Sequence, residues 1–130
     1  MIKILEYVRN NLSTDSAVTA LVGNKIYPNV VPDMDVGRGQ IMFPHIVMNR
    51  LAIDPTYTKT KGCNQDLAEV EVVVWAKDYK EGTTAIQAVR DSLEFSTGNV
   101  GVTVSKCRLV GALEGFDDGN YWQKLVFNFK

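Results

Sequence analysis

The side chains best suited to nucleophilic, acid–base or metal chemistry are those of one histidine, His45, and two cysteines, Cys63 and Cys107. A catalytic histidine requires a nucleophile or a carboxylate within hydrogen-bonding reach, and the sequence signals no such partner for His45. The two cysteines lie far apart and outside any CxxC pattern, so these three residues provide no metal-ligand spacing. We therefore expect a structural histidine in a strand and two unpaired thiols in a reducing compartment.

The glycine-rich segments and the one acidic pair also lack the spacing that phosphate or metal binding requires. Gly37–Gly39 and Gly98–Gly101 fit neither GxGxxG nor GxxxxGK[ST], so we expect turns at both places. Asp117 and Asp118 precede Gly119-Asn120, a composition typical of hairpin turns, and a hard cation needs more converging oxygens than two carboxylates offer. The sequence predicts no enzyme activity, no cofactor and no metal.

Length and composition predict a single folded domain over residues 1–130. The chain is 45% hydrophobic and 22% charged, which is ordinary for a protein with its own core. Its net charge of −1 gives no general attraction to nucleic acid or acidic lipid, and we expect no specific nucleic-acid binding. No apolar run approaches the roughly 20 residues that span a bilayer, and the first residues lack a signal-peptide pattern. We expect a soluble protein made in the cytoplasm, without a membrane partner.

Apolar residues at helical spacing predict three helices. Ser13 or Thr14 offers an N-cap for the second helix, and Asp15 suits its positive N-terminal end. Gly23 ends that helix, and Asp78 can cap the third. The predicted apolar stripes are Ile2, Leu5, Val8 and Leu12 in the first helix, Val18, Leu21 and Val22 in the second, and Ala85, Ile86, Val89 and Leu93 in the third.

Alternating apolar and polar residues predict the strands, with Val70, Val72 and Val74 facing the third helix. The fold class is therefore α+β. We expect an antiparallel sheet, with a mixed one possible, of about four to five strands, and with the N-terminal helices and one main helix on one face. The predicted extended segments are Lys25–Pro28, Pro44–Ile53, Leu67–Lys77, Val102–Leu113 and Tyr121–Phe129.

Three connecting segments remain: a loop at Pro32–Phe43, a hairpin tip at Asp54–Asp66, and a turn at Glu114–Asn120. The tip is basic and the turn acidic, each carries an aromatic residue, and each is longer than a minimal hairpin turn. Such a pair can fix the register of a subunit interface, although two solvated loops remain the alternative. The candidate interface residues are Tyr57, Lys59 and Lys61 on the tip, and Glu114, Phe116, Asp117 and Asp118 on the turn.

Four motifs occur along nearly the whole chain in a specific order. Asp15–Pro28 contains the pattern LVG-x-x-I-Y-P, and Phe43–Arg50 is a proline-led strand. Val70–Tyr79 is a strand that ends near Trp-Ala and leads into the helix with VR-x-x-L, and Glu114–Phe129 is an acidic turn followed by an aromatic strand. In their order and spacing these motifs resemble the tail-completion (tail-terminator) proteins of long-tailed bacteriophages and prophages.

The resemblance implies a ring of identical subunits, a hexamer, at the head-proximal end of the tail. Such a ring would stop polymerisation of the tail tube and join the tail to the head. The implied partners are further copies of the chain, the tail tube protein and a head completion or connector protein. The implied location is the virion, after synthesis in the host cytoplasm. Two alternatives remain open. One is another head-tail connector or a minor tail protein. The other is a small ferredoxin-like enzyme or ligand-binding protein, which a deep apolar pocket with converging polar groups would favour.

Overall fold

The computed structural model describes residues 1–31, 42–57 and 63–130, except for the side chains of residues 56, 57 and 63–65. The helices of this part of the chain are α1 (Ile4–Thr14), α2 (Ser16–Val22) and α3 (Tyr79–Leu93). The strands are β1 (Ile26–Pro28), β2 (His45–Tyr57), β3 (Cys63–Ala76), β4 (Gly98–Val100), β5 (Val102–Val104), β6 (Cys107–Asp117) and β7 (Asn120–Phe129).

The main sheet has five strands in the order β1-β2-β3-β7-β6. Strand β1 runs parallel to β2, and the remaining neighbours are antiparallel, so the sheet is mixed. Strands β4 and β5 form a separate two-stranded sheet. The predicted α+β class, with about five strands and the helices packed on the sheet, is confirmed.

One face of the central strand β3 builds the core. Ala68, Val70, Val72, Val74 and Ala76 alternate along the strand and are all fully buried. The first four belong to the same buried cluster as three residues of α3, Ala85, Val89 and Leu93, while Ile86 packs at its margin. The predicted packing of this strand against the third helix is therefore confirmed. A β-strand of valines suits this position because branched side chains fill a covered sheet face well.

The opposite sheet face carries a different set of side chains. Trp75 lies opposite Trp122 on the adjoining strands, and both rings are half-buried. The ammonium group of Lys124 lies 3.5 Å from the carboxylate of Glu71 on the same face. Because side chains alternate along a strand, this face points away from the helices of the described residues.

The buried face of α1 differs from the predicted one. The helix begins at Ile4, and its buried residues are Ile4, Tyr7, Val8 and Leu12. Ile2 precedes the helix and is 72% exposed, so its place in the predicted stripe was wrong. Leu5 is only partly buried. Apolar residues occur on both sides of this helix, and packing against the sheet decides which side becomes the core.

The N-cap of α2 is Asp15 and not the predicted Ser13 or Thr14, whereas the predicted end at Gly23 is confirmed. The carboxylate of Asp15 accepts a hydrogen bond of 2.9 Å from the backbone N–H of Ala17, at the positive end of the helix. Gly23 ends α2 with a φ of 63°, a conformation that costs glycine little. Asp78 occupies the predicted N-cap position of α3, but its side chain makes no capping hydrogen bond.

Three strands have other boundaries than the sequence predicted. The tip expected at Asp54–Asp66 is largely strand, since β2 pairs with β3 as far as Tyr57 and Cys63. The segment predicted as one strand, Val102–Leu113, is divided between β5 and β6. Of the predicted loop Pro32–Phe43, residues 32–41 lie outside the described part of the chain. Polar residues can extend a strand when a neighbouring strand forms hydrogen bonds with their backbone N–H and C=O groups, even if their side chains are typical of loops.

Candidate functional site

The acidic segment Glu114–Asn120, predicted as a long turn, is a tight hairpin. Strand β6 continues to Asp117, which pairs with Asn120, so only Asp118 and Gly119 form the turn. Both have positive φ angles, 52° and 78°, as a type I′ turn requires. The prediction that this loop exceeds a minimal hairpin turn was therefore wrong. Glu114 and Phe116 lie within a strand, which fixes their directions.

Three aromatic rings meet beside this hairpin. Alternation places Phe116 and Tyr121 on the same sheet face, with ring centroids 4.8 Å apart. Tyr79, the first residue of α3, meets Tyr121 edge-on at 5.8 Å. Phe116 is 61% exposed and Tyr79 is 47% exposed. Large aromatic side chains that stay this accessible and lie side by side are typical of protein interfaces.

The carboxylate of Glu114 lies beside these rings, where two hydrogen bonds hold it. Its Oε2 accepts a hydrogen bond of 2.8 Å from the Tyr79 hydroxyl and one of 3.0 Å from the Gln123 amide. The bonds from Gln123 and Tyr79 lower the pKa of Glu114, and the same carboxylate raises the pKa of Tyr79. Glu114 is therefore a fixed negative charge at neutral pH.

These residues line a cleft of about 250 Å³ between the start of α3 and the β6–β7 hairpin. Its lining consists of Tyr79, Glu114, Gly115, Phe116 and Tyr121. Gly115 also lies against the ring of Trp122 on the other sheet face, where a Cβ atom would overlap that ring. Asp117 and Asp118 are exposed at the end of the same hairpin.

The structure brings together only part of the predicted interface. Lys59 and Lys61 lie outside the described residues, and for Tyr57 only the backbone is described, so their proximity to the hairpin stays a prediction. Sequence reasoning missed two members of the cleft, Tyr79 and Tyr121, and the supporting amide of Gln123. Two signals were available. The Asp-Gly turn indicates a tight hairpin, and its strands then place alternate residues on one face.

Neither His45 nor Cys107 has the surroundings of a catalytic group. The Nδ1–H of His45 donates a hydrogen bond of 3.0 Å to the carbonyl of Met42, and its ring packs near Tyr27 and Phe43. Cys107 is fully buried, and burial raises the pKa of its thiol to about 12. A thiol with so high a pKa is a poor nucleophile at neutral pH. Both residues are parts of the packed interior.

His45 leads to a prediction about pH. Burial lowers the pKa of its imidazole below the ordinary 6.5, the hydrogen bond to Met42 opposes this, and the charge of Lys25 adds to it. The unfolded chain therefore binds the proton more readily, and the free energy of unfolding should fall as the pH drops through 6.5. Urea unfolding at about pH 7.5 and about pH 5.5 should show a larger loss for the wild type than for His45→Gln. Equal losses in both proteins would contradict this.

Residues 1–31, 42–57 and 63–130 contain neither a metal-ligand cluster nor a helix suited to a membrane. No group of three or more histidine, cysteine or acidic side chains could hold a metal ion there. None of the helices in those ranges is long and apolar enough to cross a membrane. A larger groove of about 620 Å³ lies between α2 and α3. Its lining is Asp15, Ala17, Ala20, Leu21, Thr83, Thr84, Gln87, Ala88 and Asp91, without histidine, cysteine or a basic residue.

Comparison with known proteins supports the family that the sequence motifs resemble. No curated protein sequence matches the chain. A chain from the solved structure "Virion of native gene transfer agent (GTA) particle" has the same fold, with a TM-score of 0.78 at 19% sequence identity. The match covers 94% of this chain and 89% of that one, and at this identity it shows a shared fold alone. Residues 6–130 match the family model described as "Tail completion protein gp17". Because this match spans nearly the whole sequence, the chain belongs to the tail completion protein gp17 family.

Proposed function

We propose that the chain is a structural subunit of a ring, a hexamer, at the head-proximal end of a virion tail. The ring stops the tail tube from growing and provides the surface that joins tail to head. Membership of the tail-completion family supports this, as does the fold shared with a chain of a gene transfer agent virion. The work is binding rather than catalysis.

The observation that carries the proposal is the exposed aromatic cleft at the β6–β7 hairpin. A ring forms when one surface of each subunit binds a different surface of the next and the rotation closes. Phe116 and Tyr79 offer accessible aromatic area, and Glu114, Asp117 and Asp118 surround it with negative charge. Aromatic centres with charged edges are how such interfaces gain both affinity and register.

In this proposal the charge of the basic tip, Lys59 and Lys61, complements the exposed carboxylates at the end of the hairpin, Asp117 and Asp118, on the next subunit. Reversing both lysines to glutamate should shift ring formation, or capping of tail tubes, to higher protein concentration. The shift should be largest at low ionic strength, because salt screens exposed charges. Sedimentation at about 20 mM and about 300 mM salt would measure it. A double variant that assembles like the wild type at low salt would leave the tip as a solvated loop.

The ring itself is tested by sedimentation of the purified chain over a range of concentrations, with electron microscopy of the products. We expect closed rings with a central channel. Added to polymerising tail tube protein, the chain should shorten the tubes and occupy one end of each. A chain that stays monomeric at every concentration and leaves tube length unchanged would contradict the proposal. Binding to a head-side protein without an effect on tubes would favour the connector alternative.

A further inference from the structure

The walls of the cleft at the β6–β7 hairpin are π-surfaces. Tyr79, Phe116 and Tyr121 meet at interplanar angles of 69° and 59°, so their rings border the cleft from different directions. Aromatic faces carry partial negative charge and attract cations placed within about 6 Å of the ring centre. A group of three such rings is an environment that favours an organic cation over a neutral or an anionic group.

The polar group of the cleft is the Glu114 carboxylate, and only one of its oxygens is in use. Both hydrogen bonds, from Tyr79 and from Gln123, end on Oε2. Within the described part of the chain, no hydrogen bond or ion pair ends on Oε1. The two donors hold the carboxylate in position, so a ligand that binds Oε1 does not have to order it first. Such preorganisation lowers the entropic cost of binding.

The chemistry of the lining selects the kind of cation. A hard metal ion prefers several converging oxygens, and Glu114 is the only carboxylate that lines the cleft. A guanidinium group fits better, because it is planar, stacks on aromatic rings and donates several hydrogen bonds in a fixed fork. An ammonium group would also be attracted to the Glu114 carboxylate, but it could not stack on the aromatic rings.

The surroundings of the cleft indicate that a protein presents this cation. Strand β6 is the outer strand of the sheet, and two rings of the lining stay exposed, Phe116 by 61% and Tyr79 by 47%. A small free cation would cover only the part of each ring that it touches and leave the rest in water. A protein surface that inserts one basic side chain would cover the remaining ring area as well, with the burial supplying most of the affinity.

We infer that this cleft is a receptor for one arginine side chain of an adjoining subunit in the assembled ring. The guanidinium stacks between Phe116 and the tyrosine rings and donates to Oε1 of Glu114. The assignment of the partner rests on the proposed function, whereas the specificity of the cleft for a guanidinium is a property of the isolated chain.

The test is a titration of the isotopically labelled chain with N-acetyl-arginine amide, below the concentration at which the chain assembles. N-acetyl-citrulline amide, which has nearly the same shape without the charge, is the matched ligand. The arginine probe should produce saturable chemical-shift changes at the cleft residues, and the citrulline probe should produce few. Glu114→Gln and Phe116→Leu should each weaken binding by about tenfold. Asp117→Asn, a carboxylate of the same hairpin outside the cleft lining, should change it by about twofold or less.

Equal shifts from both probes, or unchanged binding in Glu114→Gln, would overturn the inference. The altered side chains are exposed, so the amide spectrum of each variant should keep the wild-type pattern, which separates lost binding from lost folding. Ring formation is measured separately. Rings without arginine binding would contradict the inference alone. Arginine binding without rings would contradict the proposed function and the assignment of the arginine to an adjoining subunit, while the specificity of the cleft would stand.

Discussion

Replacing Tyr7 with alanine is expected to lower the free energy of unfolding by about 3–5 kcal/mol. The ring is 1% exposed and meets Phe129 edge-on, with the centroids 6.0 Å apart. Its hydroxyl donates a hydrogen bond of 2.9 Å to Ser96, so it links α1 to the segment that follows α3. The truncation leaves a cavity in the core and removes that link. Denaturant unfolding measures the loss.

Two further variants separate the contributions. Tyr7→Phe keeps the ring and should cost only about 0.5–1.5 kcal/mol, the contribution of one hydrogen bond. Leu5→Ala removes a partly buried side chain of the same helix and should cost less than Tyr7→Ala. The comparison tests which side of α1 forms the core. A larger cost for Leu5→Ala would show that the helix packs through the other side.

The first helix illustrates what periodicity can and cannot decide. Residues three and four apart share a helix face, and α1 contains two overlapping sets, one through Leu5 and one through Ile4 and Tyr7. Val8 and Leu12 fit both sets, so the existence of the helix follows from the pattern, and its rotation does not. The rotation depends on Phe129 and on the glycine at position 98, which lies against the Tyr7 ring. Both are distant in sequence.

The central strand was predictable for the opposite reason. Val70, Val72 and Val74 share one face with Ala68 and Ala76, whereas the other face includes Glu69 and Glu71. Only one register of a strand with period two therefore buries an entirely apolar set. The next element along the chain, α3, supplies a matching apolar stripe. When two consecutive elements each have one unambiguous face, their packing follows from the sequence.

The sequence predicted only those residues of the candidate site that lie close together along the chain. The sequence indicates Glu114 and Phe116 because an acidic and an aromatic residue occur near a turn. Tyr79 joins them because α3 begins beside the hairpin, and it is the partner of Glu114 through a hydrogen bond across 35 positions of sequence. The composition of one segment can indicate which of its own residues are candidates for a site. A cleft built from two segments depends also on how the fold brings those segments together.

Phe127 and Phe116 lie on the same face of the main sheet, and truncation to alanine should affect the stability of the fold in one case and assembly in the other. Phe127 on β7 is fully buried between its neighbours on β3 and β6, Val70 and Leu109. Phe127→Ala should therefore lower the free energy of unfolding by about 3–5 kcal/mol, a large part of the usual 5–15 kcal/mol. Thermal and urea unfolding would both show it. A loss below about 1 kcal/mol would mean that the ring is not part of the packed core.

Phe116 is the matched case, since the same atoms are removed from an exposed position. Phe116→Ala should change the free energy of unfolding by less than about 1 kcal/mol, because most of its ring is already in water and only its contact with Tyr121 is lost. Its assembly should weaken instead, since a buried aromatic anchor commonly contributes about 2 kcal/mol or more to an interface. Sedimentation should then place half-assembly at a protein concentration at least about tenfold higher than for the wild type. A variant as stable as the wild type that also assembles like it would exclude Phe116 from the ring interface.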